Sequence, residues 1–312
     1  MLSSLYNKKT NTLTIKASDY WYKLTKEEIL LVLKKNWYVV FVDDYKKPLI
    51  FTEYFNRQNF YSKISEYKFF DDFDEFDYGH KIPQNITRIT FGRRFNCNIR
   101  ERILHDDIVY IKFGHDFNTE IKEKILPKKL LELIFSDSFN QEIKPRVLPD
   151  SLEILRFGHN FNLVINKLAY PVNLRELEFG FRYDQSIVGL PKRLEILTLG
   201  HNFNSSIDKL PNTIKNVRFG ENYSQVLDCS LINPNITKLH FAGSPNNYAT
   251  IVNLPYHIEE LILDTCVADI TNLPIFLRKV KLLNPQDYLS GKSKISVPFG
   301  CKLVDKSNNK LE

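Results

Sequence analysis

The stretch LPDSLEILRFGHNFNLVI, residues 148–165, decides the fold, because near copies of it recur along most of the chain. The last position of its L-x-x-L-x-F motif is Phe157. Successive equivalents of this position are 22 residues apart, except for two spacings of 20 and a final one of 19. So regular a period indicates a repeat architecture. The equivalents are Phe91, Phe113, Phe135, Phe179, Leu199, Phe219, Phe241, Leu263 and Leu282, preceded by a degenerate copy that ends at Phe69.

Each repeat has room for one short strand and a tight return path. The L-x-L-x-F run alternates apolar residues with others, which is typical of a strand with one buried face. One unit cannot bury its apolar face alone, so we expect stacked units that share a parallel sheet and a continuous core. The sequence therefore predicts a solenoid over residues 64–283, about ten units long, with irregular turns and short 3₁₀ segments opposite the sheet.

The positions that follow the strand also recur. We expect the glycine after the strand, as in Gly158, to allow a sharp bend at positive φ. The phenylalanine after it is predicted to stack on its counterparts in neighbouring coils. The next residue, asparagine, can donate and accept, so a column of asparagines can bridge coils from within a buried turn. This predicted structural ladder consists of Phe95, Phe117, Phe139, Phe161 and Phe203 with Asn96, Asn118, Asn140, Asn162 and Asn204.

The pattern resembles the FNIP repeat, a family related to leucine-rich repeats. Its signature is FN, then I, then LP, as in Phe139-Asn140, Ile143 and Leu148-Pro149. The resemblance covers most of the chain and implies a leucine-rich-repeat-like fold. The family occurs chiefly in amoebozoans and in the giant viruses that infect them. Many members carry an N-terminal F-box, which would imply recruitment of substrates to a ubiquitin ligase, and the family has no known catalytic motif.

The ends of the chain do not fit the repeat. Residues 1–63 lack the leucine-proline opening and helical pattern of an F-box, and we interpret them as a small α/β cap or, alternatively, as a partner-docking module. Residues 284–312 are predicted to form a C-terminal cap or tail. Within the N-terminal segment, the sequence predicts strands at 13–15, 37–42 and 49–51, and a helix at 29–35 after a capping box.

The composition is that of a globular protein, with 43% hydrophobic and 26% charged residues among 312. No apolar run is long enough to span a bilayer, so we expect no membrane partner. The four cysteines are far apart, which favours a reducing compartment over a disulfide framework. We therefore expect an intracellular, cytoplasmic protein, in the host cytoplasm if it is viral. The net charge is +6, and acidic and basic residues are interspersed along most of the chain, which makes a nucleic-acid partner unlikely.

The chain shows no pattern for catalysis or metal binding. Nucleophile-elbow, P-loop and H-E-x-x-H motifs are absent from the sequence. His115, His159 and His201 occupy one position in alternate units, which lie about 10 Å apart. A zinc ion needs ligand nitrogens about 2 Å away, so these three cannot share one. The sequence predicts no enzyme activity, no catalytic residue, no cofactor and no metal, and exposed turns for these histidines.

The variable positions lie on either side of the second leucine of the motif, and they point away from the core. They form two columns along the outer face of the sheet. Variation on a rigid frame suits recognition of a protein partner, although isoleucine also simply favours strands. The candidate partner-binding residues are Tyr110, Lys112, Glu132, Ile134, Ile154, Arg156, Glu176, Glu178 and Ile196.

These observations predict a non-catalytic protein-binding scaffold that presents the outer face of its sheet. The alternative, implied by the FNIP resemblance alone, is a substrate-recruiting subunit of a ubiquitin ligase. That alternative requires residues 1–63 to bind a ligase component.

Overall fold

The computed structural model describes residues 6–9, 12–16, 38–42, 64–69, 71–72, 82, 84–207, 210–225, 233–243, 254–266 and 269–311. The chain divides into two compact units, Met1–Leu152 and Glu153–Glu312. Both are built in one way: each coil adds a short strand to a parallel sheet and returns through turns. The predicted parallel-sheet solenoid is therefore confirmed in each unit.

The first unit contributes seven described strands. β1 and β2 pair antiparallel, and every later described pair is parallel. The register brings one apolar residue per strand into a column, in which Tyr67 pairs with Ile89, and Ile89 pairs with Ile111. The strands are β1 Tyr6–Asn7, β2 Thr12–Lys16, β3 Tyr38–Val42, β4 Ile64–Lys68, β5 Arg88–Thr90, β6 Tyr110–Lys112 and β7 Glu132–Ile134.

The sheet of the first unit continues into residues 1–63. β2 and β3 confirm the strands predicted at 13–15 and 37–42. Ile15 pairs with Phe41, and Phe41 with Tyr67, so paired positions are 26 residues apart here, compared with 22 between Tyr67 and Ile89. The N-terminal segment thus shares the ladder of the repeat. The helix predicted at 29–35 and the strand predicted at 49–51 lie outside the described residues.

The second unit contributes eight described strands, all paired in parallel. A 3₁₀ helix spans Lys167–Ala169, and a short helix, α1, spans Gln286–Leu289. The last strand, in which Leu303 pairs with Val280, lies within residues 284–312 and extends the sheet beyond the predicted repeats. The strands are β8 Ile154–Arg156, β9 Glu176–Glu178, β10 Ile196–Thr198, β11 Asn216–Phe219, β12 Lys238–Phe241, β13 Glu260–Leu263, β14 Lys279–Leu282 and β15 Lys302–Val304.

The core consists of the inward positions of the repeat. Leu155, Leu177 and Leu197 lie opposite one another on parallel strands and are at most 1% exposed. Burying a leucine side chain contributes roughly 1.5–3 kcal/mol. The stack of coils is therefore held by a repeated apolar column.

Aromatic rings add two stacked columns beside the leucines. Within one coil, the rings of Phe113 and Phe117 lie 3.9 Å apart and nearly parallel. Between coils, Phe117 stacks on Phe95 at 5.7 Å. In the second unit, Tyr183 lies between Phe161 and Phe203 at 6.1 and 6.3 Å. Such offset stacking favours a fixed distance between neighbouring coils.

The glycines after the strands are needed for a different reason from the one predicted. Gly114, Gly180 and Gly200 do not have positive φ, so that expectation is wrong. A Cβ at Gly180 would lie 1.7 Å from the carbonyl oxygen of Gly158 in the preceding coil. At these positions two coils approach so closely that no side chain fits.

The asparagines link coils, but not from a buried turn. Asn96, Asn118 and Asn140 are exposed, because the neighbouring phenylalanine ring occupies the interior. The side-chain oxygen of Asn118 accepts a hydrogen bond from the backbone N–H of Asn140 at 2.8 Å. In the second unit, the oxygen of Asn162 accepts from the N–H of Asp184 at 3.0 Å. The side chains thus satisfy backbone donors at the edge of each coil.

Candidate functional site

The outer face of the first unit carries four of the predicted binding residues. Tyr110 pairs with Glu132, and Lys112 with Ile134, on β6 and β7. Tyr110, Glu132 and Ile134 are half-buried, and Lys112 is exposed. The register therefore places an aromatic ring, two opposite charges and an isoleucine on adjacent strands of one face.

Arg88 orders this surface, a role that sequence reasoning missed. Its guanidinium lies 3.7 Å from the centre of the Tyr110 ring, a cation–π contact. Its Nε atom also lies 3.5 Å from a carboxylate oxygen of Glu66. Arg88 occupies the position of the previous strand that is equivalent to Tyr110. This equivalence in the repeat could have predicted from sequence that the two side chains are neighbours. Glu66, Arg88 and Tyr110 form a row across three strands.

The second unit carries the other five predicted residues. Glu176 lies between Ile154 and Ile196 in one column, and Arg156 lies opposite Glu178 in the other. All five are half-buried. We call these residues the β8–β10 patch. It consists of two isoleucines flanking a carboxylate, with an arginine and a second carboxylate beside them.

Arg156 pairs with two carboxylates of this patch. Its Nη2 lies 3.3 Å from Glu176, and its Nε lies 3.2 Å from Glu178. Each half-exposed pair stabilises the fold by no more than about 1 kcal/mol. Their effect is on geometry, because one guanidinium holds two neighbouring side chains in defined positions.

Farther along the second unit, charges on the outer face also pair. Glu260 lies 3.1 Å from both Lys238 and Lys279. Burial alone would raise the pKa of Glu260, but hydrogen bonds from these lysines lower it below its ordinary value. Ile262, at an outer-face position of β13, is only 9% exposed. It lies in register between the longer side chains of His240 and Lys281.

Of the turn histidines, His115 and His159 are exposed as predicted and His201 is half-buried, and two of the three stack on a neighbouring ring. The ring of Phe181 lies 4.6 Å from His159 and 4.1 Å from His201, and all three rings are nearly parallel. His115, in the first unit, contacts Asp116 at 2.5 Å. Among the described residues, no group of three or more His, Cys, Asp or Glu is arranged to hold a metal ion.

Cavities lie away from both sets of candidate residues. One of about 290 Å³ in the first unit is lined by residues between Cys97 and Ile125. Two in the second unit, of about 420 and 360 Å³, are lined by residues between 195 and 237 and between 186 and 210. None of the described helices has the length or apolar character that crossing a bilayer requires.

The repeat itself has known relatives. A family model described as FNIP Repeat matches residues 99–138, 139–182 and 183–222. The chain contains FNIP repeats. Each matched segment is 40 to 44 residues long, so one FNIP repeat corresponds to about two coils of the structure. No curated protein matches the chain.

The chain also resembles a solved structure. That structure is described as "The crystal structure of CroV588 a novel circular LRR protein structure", from a giant virus. The similarity has a TM-score of 0.64 at 24% sequence identity, and it covers 86% of this chain. Because it covers only 43% of the CroV588 chain, the present chain spans less than half of that protein. The likeness establishes a leucine-rich-repeat-like fold.

Proposed function

We propose that this protein is a non-catalytic scaffold that binds another protein through the outer face of its parallel sheet. The observation that carries this proposal is the contrast between the two faces of each strand. In β9, Leu177 is 1% exposed, and the equivalent residues of the other strands are also apolar. Glu176 and Glu178 on either side of it are half-exposed, and the residues at their two positions differ from one coil to the next. A surface whose residues vary on a constant frame can be adapted to one partner without altering the core.

The residues on the face are suited to a protein partner. Tyrosine and arginine are enriched among residues that dominate protein interfaces, and Arg88 over Tyr110 presents both in one ordered pair. In the β8–β10 patch, Ile154 and Ile196 supply apolar area beside charges that are already paired. Apolar contacts surrounded by polar groups are typical of specific interfaces.

Rigidity supports the same proposal. The strands that carry the patch are only three residues long, but each is held by ladder bonds and by a buried leucine. Side chains that are ordered before binding lose less conformational entropy when the partner arrives.

The test uses the full chain and a matched pair of double variants. Ile154→Asp/Ile196→Asp places two acids on the patch, and Ile154→Thr/Ile196→Thr retains the β-branched shape. The control, Val164→Asp/Val188→Asp, places two acids at exposed apolar residues of the return path. Partners are identified by proximity labelling in the native cell. We expect a partner that the control retains and the patch variants lose, with folding checked by circular dichroism. A partner set unchanged by the patch variants would refute this site.

The ubiquitin-ligase alternative stays a prediction from family resemblance. It depends on residues 1–63, of which only 6–9, 12–16 and 38–42 are described. Co-purification of a ligase component with the full chain would favour it.

A further inference from the structure

The turns that lead into the last three strands share one geometry. In each, a backbone N–H donates to the carbonyl oxygen of a proline three residues earlier. These bonds join Ile258 to Pro255, Leu277 to Pro274, and Cys301 to Pro298, at 3.2, 3.0 and 3.0 Å. The two residues between the proline and the donor form the tip of each turn.

The tips of these turns are apolar and exposed. Tyr256, Ile275 and Phe299 each follow the proline, and their side chains are 70%, 76% and 106% exposed. Phe276, next to Ile275, is 62% exposed. We call these four residues the turn ridge. β13, β14 and β15 are consecutive in the sheet, so the three strands that follow these tips extend over about 10 Å.

The same turn is polar in two earlier coils of this unit. After Pro191 the tip residues are Lys192 and Arg193, and after Pro211 they are Asn212 and Thr213. The repeat therefore does not require apolar residues at this position. A row of adjacent exposed apolar residues on a protein surface commonly marks a binding site.

The end of the chain that bears most of the ridge is also strongly basic. Residues 269–312 contain eight Lys or Arg and four Asp or Glu, a net charge of +4, compared with +6 for the whole chain. Lys302 follows the ridge residue Phe299 by three positions. Arg278 and Lys279 follow the turn of Ile275 and Phe276, and they pair with Glu259 and Glu260 at 3.4 and 3.1 Å. Among the described residues, Lys302 pairs with no carboxylate and is exposed.

The shape of the site helps to identify its occupant. Sites that bind peptides are generally grooves with pockets for side chains. The turn ridge instead projects outward, and none of the cavities described above is lined by a ridge residue. A projecting row of apolar side chains needs a partner that deforms around it. The interfacial region of a lipid bilayer does so, and it favours aromatic residues such as Tyr256.

We propose that the turn ridge docks the protein onto a bilayer rich in anionic phospholipid. Ile275, Phe276 and Phe299 insert among the headgroups and upper acyl chains, while the exposed Lys302 attracts the negative surface. This is peripheral binding and does not require a membrane-crossing helix. It departs from the expectation, based on the absence of long apolar runs, that the protein has no membrane partner.

The test measures co-sedimentation of the full chain with vesicles of phosphatidylcholine, with or without 30% phosphatidylserine. We expect binding only to the vesicles that contain phosphatidylserine, and weaker binding as salt rises from about 0.1 to 0.5 M, because salt screens exposed charges. Ile275→Asp/Phe276→Asp should reduce vesicle affinity at least tenfold. Lys302→Glu, at an exposed lysine, should reduce it severalfold.

Val172→Asp is the matched control. Val172 follows Pro171 in the same turn of an earlier coil and is 61% exposed, but its neighbour in the turn is Asn173. It should bind vesicles as the unaltered chain does. Phe299→Ser is a second ridge variant whose folding is secure, because the side chain is fully exposed. It should weaken binding severalfold.

Three results would overturn the proposal. One is the absence of binding to phosphatidylserine vesicles, and another is binding that the ridge variants leave unchanged. The third is self-association: if sedimentation velocity shows a dimer that Phe299→Ser dissociates, and vesicles are not bound, the ridge is an interface between copies of the chain. Each of these results is independent of the Ile154/Ile196 experiment.

Discussion

The side-chain oxygen of Asn96 accepts a hydrogen bond at 2.8 Å from the backbone N–H of Asn118, one coil farther along the chain. Asn118 repeats the arrangement with Asn140, also at 2.8 Å. Asparagine thus serves each coil by satisfying a backbone donor of the next one, where no ladder bond is available.

Removing one acceptor should destabilise the stack measurably. We expect Asn118→Ala to lower the free energy of unfolding by about 1 kcal/mol, because the Asn140 N–H loses its partner. Asn118→Asp keeps an acceptor oxygen, as Asp184 does for Asn204 in the second unit, and should cost less. Urea unfolding of the three proteins measures the difference. Equal losses for the two variants would show that the acceptor is not what matters.

A side chain at the close approach of two coils should be far more damaging. Gly180→Ala places a Cβ 1.7 Å from the Gly158 carbonyl oxygen, and we expect a loss of about 3 kcal/mol as the coils separate. Gly291→Ala is the control. Gly291 has φ +73° but nothing within 4 Å of its added Cβ, so only backbone strain of about 1 kcal/mol is expected. Thermal unfolding should rank the two variants in this order.

Tyr183 carries a polar group that its position does not need. Its hydroxyl is buried without a hydrogen-bond partner among the described residues, in a column where Phe161 and Phe203 occupy the equivalent places. Tyr183→Phe should therefore stabilise the protein by about 1–2 kcal/mol. Tyr223→Phe, at an equivalent site without such a buried unpaired hydroxyl, should not. A loss of stability in Tyr183→Phe would show that the hydroxyl has an unrecognised partner.

The same tyrosine predicts a pH dependence. Burial raises the pKa of Tyr183 above its usual value near 10, so the folded state retains the proton when the unfolded chain releases it. Since the unfolded state then binds fewer protons, stability is expected to fall as pH rises above about 10. Tyr183→Phe should flatten this decline. Urea midpoints between pH 8 and 11 test the prediction, and parallel curves for the two proteins would contradict it.

Asp264 should make a modest contribution with the opposite pH dependence. Burial alone would raise its pKa, but the hydrogen bond from His240 and the nearby Arg218 lower it below its ordinary value. A depressed carboxyl pKa stabilises the fold above the unfolded pKa near 4, and that contribution is lost as pH falls through the lower folded value. Asp264→Asn should lower stability at pH 7 by less than about 1 kcal/mol, because the group is partly exposed. The difference between variant and parent should shrink below pH 4.

The leucine columns could be predicted from sequence because they depend only on period. Leu155, Leu177 and Leu197 recur at the same motif position, and a parallel register must then align them. β15 was missed because its coil lacks the usual spacing: Pro298 precedes Leu303 by five residues, whereas Pro274 precedes Val280 by six. A repeat can be recognised in a sequence only where its characteristic residues keep their spacing.

Features that depend on how two coils approach each other could not be predicted. The sequence gives no sign that Arg102, Lys124 and Arg146 adopt φ of 65–67°, because arginine and lysine are not typical of the left-handed region. Likewise, the outward direction of Arg88 and Tyr110 follows from strand alternation. Their stacking depends on side-chain rotamers, which a single sequence does not specify.

Leu177 lies opposite Leu155, 22 positions earlier, and opposite Leu197, 20 positions later, with no shift in register. The return path therefore differs in length by two residues between these coils, while the pairing of the strands is unchanged. Short deletions or insertions opposite the sheet can accumulate during evolution while the spacing of the displayed side chains is preserved. Each coil thus consists of a return segment whose length can change and a strand whose length and pairing set the dimensions of the outer face.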